Sequence, residues 1–144
     1  MSIETDVAAV LADYPLLVSS GFAKTGEETW FANKRQTLAE SFVEVMAAKA
    51  WLEAGAPGAK TWRDGSYTAF QMARNFQRFA DGKLLTGAII VAAILLGWNV
   101  EEVTEPKDVI RMEPPGWTPT YRDRFDAGFD FRAFVARLQE EVTA

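Results

Sequence analysis

Apolar positions recur at helical spacing over most of this chain, and along 84–98 (LLTGAIIVAAILLGW) they leave no polar face. At 100° per residue, Leu84, Leu85, Ala88, Ile89, Ile90, Val91, Ile94, Leu95 and Leu96 cover the whole circumference. A helix apolar all round is either packed on every side or a membrane span. A span needs about 20 predominantly apolar residues. Here Asp81 and Lys83 close in before the run, and Glu101 and Glu102 follow it. The reading is a buried core helix over 84–97. The β-branched residues Ile89, Ile90, Val91 and Ile94 would also suit a buried strand. The length of the run and Ala88, Ala92 and Ala93 favour helix. Thr86 is the expected cap at its start, and Gly97 fits the C′ position at its end.

Other segments show one apolar face each. A first short helix is expected over 3–17, with Ser2 or Thr5 as cap and Val7, Val10, Leu11 and Tyr14 on one side. Pro15 ends or kinks it. The longest helix is expected over 27–54, stopped by Gly55 and Pro57, although Asn33 could cap a shorter version. Its apolar stripe is Leu38, Phe42, Val45, Met46 and Leu52, which places Glu40, Glu44 and Trp51 on the opposite face. Ser66 reads as the cap of a helix over 67–80. That helix has Ala69, Met72, Ala73, Phe76, Phe79 and Ala80 inside, and Gln71, Arg74, Asn75 and Arg78 outside. After Trp98 the period changes, and Val100, Val103, Val109 and Ile110 fit a small hairpin at about 99–112. Pro114, Pro115 and Pro119 make an extended strap displaying Trp117 and Tyr121, and Asp130 can cap a last amphipathic helix. The sum is an all-α fold: a single domain, 1–144, of four to five helices around the apolar helix, with the small hairpin after it.

Composition narrows the chemistry. The chain has 144 residues, 49% of them hydrophobic, and five tryptophans, enough for a real core. It has no cysteine and no histidine. That removes disulfides, thiolate nucleophiles, zinc–thiolate sites, Ser–His–Asp relays and Glu-x-x-His di-iron sites. A net charge of −5 argues against broad binding to nucleic acid or anionic membrane. MSIETDVAAV lacks the basic n-region of a secretory signal, so a cytoplasmic protein is expected.

No motif names a ligand. There is no phosphate loop, no G-x-S-x-G and no calcium-loop spacing in the Asp123, Asp126, Asp130 run. No cofactor or metal is expected. Glu40 and Glu44, one helical turn apart, could work as an acid–base pair or hold a hard cation, although such pairs are common on solvated helix faces. The 67–80 helix with Lys60, Arg63 and Lys83 is the one net-basic region of an acidic chain. The order helix, turn, helix, hairpin is similar to that of a winged helix. There, however, the second helix presents polar residues to the groove, and LLTGAIIVAAILL has none to offer.

The expected function is a non-enzymatic protein-interaction domain, a small regulator or inhibitor of a larger protein of the phage or mobile-element accessory kind. Trp51, Arg74, Arg78 and Trp117 are its contact candidates. The runner-up is a nucleic-acid binder using Arg63, Arg74, Arg78 and Lys83. The third reading is an enzyme using carboxylates. A central helix too large for its neighbours to cover would imply a homo-oligomer.

Overall fold

Helices and strands share this chain. In the computed structural model, residues 2–53, 67–80, 84–103 and 109–115 are described, together with Ala133, Ala136 and Glu140. The order is α1 (Ile3–Asp13), β1 (Leu17–Val18), β2 (Gly21–Phe22), α2 (Phe31–Ala39), α3 (Phe42–Glu53), β3 (Tyr67–Thr68), α4 (Ala69–Ala80), α5 (Thr86–Leu95), β4 (Asn99–Val103) and β5 (Val109–Glu113). Strands β1 and β2 form an antiparallel hairpin, and β3, β5 and β4 form an antiparallel sheet in that spatial order. The fold is therefore α/β, with these five helices and two small antiparallel sheets among the described residues, and the all-α expectation is corrected. Among the described residues, three of the five strands are two residues long. A period of two cannot show in two residues, and Tyr67–Thr68 runs straight into α4, where the sequence reads as helix. The pairing over 99–112 is one ladder of the three-stranded sheet, with Val100 opposite Met112 and Val103 opposite Val109.

The single helix expected over 27–54 is two. α2 stops at Ala39 and α3 starts at Phe42, with the Ser41 hydroxyl donating to the Thr37 carbonyl at 2.6 Å between them. Of α2, Leu38 alone is buried. The guanidinium of Arg35 anchors α2 to α1. Its Nη2 donates to the Leu11 carbonyl at 2.8 Å, and its Nη1 to the carbonyls of Pro15 at 2.9 Å and Leu17 at 3.0 Å. Carbonyls at a helix C-terminus have no partner within the helix, and a cation there is favoured.

α5 lies in the centre. Gly87 to Ala93 are all buried, and the helix packs most extensively on α3. Fully burying a side chain such as Ile89, Ile90 or Val91 stabilises by roughly 1.5–3 kcal/mol. The chain's own elements do the covering, so the seal needs no second copy. Its first turn is satisfied from afar rather than by Thr86: the N-cap is Leu85, which makes no side-chain cap bond. The Leu85 N–H donates to Glu44 Oε1 at 2.9 Å, and the Gly87 N–H to the Ser19 carbonyl at 2.9 Å. This contact demands glycine, because a Cβ on residue 87 would stand 2.3 Å from the Val18 carbonyl oxygen. At the other end Gly97 has φ +80°, with Gly97 N–H bonded to Ile94 O and Trp98 N–H to Ala93 O. That is a Schellman closure, and it fills the C′ position with glycine as the sequence suggested.

Candidate functional surface

α4 has two distinct sides. Ala69, Met72, Ala73 and Phe76 are buried in the core, and the Phe76 ring meets Trp51 edge-on at 5.5 Å and 83°. On the far side, Phe70, Arg74 and Arg78 follow one another at a helical turn's spacing and are all exposed. Phe70 is 62% exposed, the largest exposure of any bulky apolar side chain among the described residues. The Arg74 guanidinium carbon lies 5.8 Å from the Phe70 ring centroid. A cation at that distance is attracted by the ring's negative face, by about 0.5–1 kcal/mol at an exposed site. Arg78 sits in the last turn, where a cation also suits the helix dipole. Among the described residues, neither arginine has an ion-pair partner.

The amides assigned to this face do not all reach it. Asn75 is 3% exposed and belongs to the core side, and Gln71 is half-buried. Gln77 is on the exposed side, but its Nε2 donates to the Leu84 carbonyl at 3.1 Å, tying α4 to the start of α5. Phe70 is the residue that sequence reasoning missed. The line through Arg78 and Arg74, continued back one turn, passes through it.

Trp51 is corrected outright: it is 0% exposed, so it is a core side chain and offers nothing to a partner. Trp117 lies outside the described residues, as do Arg63 and Lys83. Of the four basic residues grouped for nucleic acid, the structure thus places Arg74 and Arg78 together on one accessible line. The helix that a winged helix would lay in the groove corresponds here to α5, in the order α3, β3, α4, α5, β4, β5. α1 and the β1–β2 hairpin pack against α5 and seal it.

Glu40 and Glu44 do not form an acid pair. Glu40 caps α2 and accepts from Gln36 Nε2 at 2.6 Å, whereas Glu44 belongs to α3 and serves the first turn of α5. A shallow recess of about 360 Å³ lies between α1 and α2, lined by Leu11, Phe31, Ala32, Arg35, Gln36 and Ala39. It holds no carboxylate. Among the described residues there is no cluster of three potential metal ligands, and no helix long and apolar enough to cross a membrane. In comparisons with family models, curated proteins and solved structures, the chain matches none.

Proposed function

We propose that this chain is a non-enzymatic protein-interaction domain, a small regulator or inhibitor that docks a larger protein through the outer face of α4. Arg74 and Arg78 are its polar contacts and Phe70 its apolar anchor. One observation carries the reading: a phenylalanine 62% exposed, held under a guanidinium, on a helix whose opposite face is core. Leaving such a ring in water forgoes the burial that its partner would supply. Aromatic and arginine side chains are also the residue types that dominate binding energy at protein interfaces.

The test is site-specific photo-crosslinking. A benzophenone amino acid in place of Phe70, expressed in the chain's own cells, should yield a discrete protein adduct. The same group in place of Gln36, exposed on α2, should not. An adduct at both positions, or at neither, contradicts the reading. An adduct that nuclease removes would transfer the surface to the nucleic-acid alternative, whose binding should fall steeply with salt.

A further inference from the structure

The chemistry of the α4 line also constrains the partner, granting the docking reading above. We infer that the occupant is an acidic amphipathic helix of another protein. It would carry an aliphatic residue over Phe70, followed by carboxylates at two positions one turn apart.

α4 reads AFQMARNFQRFA and contains no acid. A two-fold pairing of two copies through this face would set guanidiniums against guanidiniums, and like charges oppose such a contact. Base-edge readout of nucleic acid draws on amides beside arginines. Here Asn75 is buried, Gln71 is half-buried beside the core face, and the Gln77 amide already donates to Leu84. What remains on offer is an aromatic face and two guanidiniums in line. Four residues of helix advance about 6 Å, so Arg74 and Arg78 stand at the repeat that a second helix presents with carboxylates at i and i+4. Carboxylates accept from guanidinium groups two bonds at a time, which fixes register as well as charge. The apolar position one turn earlier on the partner would cover Phe70 and shield the first ion pair from water.

The experiment uses the full chain and two hydrocarbon-stapled helical peptides, one with Leu, Glu and Glu at i, i+4 and i+8, the other with Leu, Lys and Lys. Binding is read by fluorescence anisotropy at low and physiological salt. The Glu peptide should bind about tenfold more tightly than the Lys peptide. The double variant Arg74→Glu/Arg78→Glu should reverse that order, and Phe70→Ala should weaken both peptides. Circular dichroism and the urea midpoint should be unchanged in all variants. If both peptides bind equally and Phe70→Ala abolishes both, the docking surface stands and the acidic partner is refuted. If neither peptide binds, or a single-stranded oligonucleotide outcompetes the Glu peptide, the inference is also overturned, and the crosslinking at position 70 decides the docking reading independently.

Discussion

α4 and α5 follow each other in the chain and pack together, yet they do opposite jobs. α5 has no side facing water along Gly87 to Ala93, while α4 gives one side to the core and leaves Phe70, Arg74 and Arg78 outside. The difference lies in what each needs from distant residues. α5 is closed by Glu44 and Ser19 at one end and by its own Gly97 at the other, and it cannot accept even a methyl group at position 87. The outer line of α4 is exposed along Phe70, Arg74 and Arg78, and among the described residues it makes no such long-range hydrogen bond.

Substitutions can break this contrast. The largest effect is expected at Trp51, where Trp51→Ala removes the ring that joins α3 to the inner face of α4. It should cost roughly 3–5 kcal/mol in urea unfolding. Gly87→Ala should follow at about 3 kcal/mol, since its Cβ would strike backbone that a side-chain rotation cannot clear. A midpoint unchanged by Gly87→Ala would show that the hairpin does not sit on α5. Glu44→Ala should cost about 1–2 kcal/mol by stranding the first turn of α5, with Glu44→Gln recovering part of it. Gly97→Ala should cost about 1–2 kcal/mol from its left-handed backbone alone, because nothing lies within 4 Å of the added carbon. Smallest of all, Phe70→Ala and Arg74→Ala should each move stability by no more than about 0.5 kcal/mol. A larger loss would mean that this line is structural and not kept for a partner.

How far the sequence alone reached follows the same division. The central helix and its closing glycine were legible because both signals are local: an unbroken apolar run and a glycine just past it. The start of α5 was not, because its partners come from residues far away in the chain, and Thr86 was the obvious local substitute. Trp51 was misplaced for a different reason. The expected stripe runs through Leu38, Phe42, Val45, Met46 and Leu52; Val45 and Leu52 are buried in α3, but Leu38 belongs to α2, and Phe42 and Met46 are half-buried. The face of α3 that is buried carries Ala47, Ala48, Trp51 and Leu52 with Val45. Small alanines let α3 lie close to α5, and a count weighted to large side chains overlooks them. Glu44 falls on that same side, which accounts for its reach to Leu85. The two-residue strands were beyond any periodicity argument. Of the proposed contact surface, Arg74 and Arg78 follow from helical spacing, whereas Phe70 falls on neither the core face nor the outer face expected for the 67–80 helix, and its exposure emerges only from the packing of α4.

The architecture depends on α5 being closed to water within one copy of the chain. Native-state hydrogen exchange along residues 88–96, followed with rising urea, tests this most directly. The prediction is that these amides exchange only through global unfolding, with the same free energy and the same urea dependence as the whole molecule. Exchange of α5 through a separate, lower-energy opening, while the sheet stays protected, would contradict it.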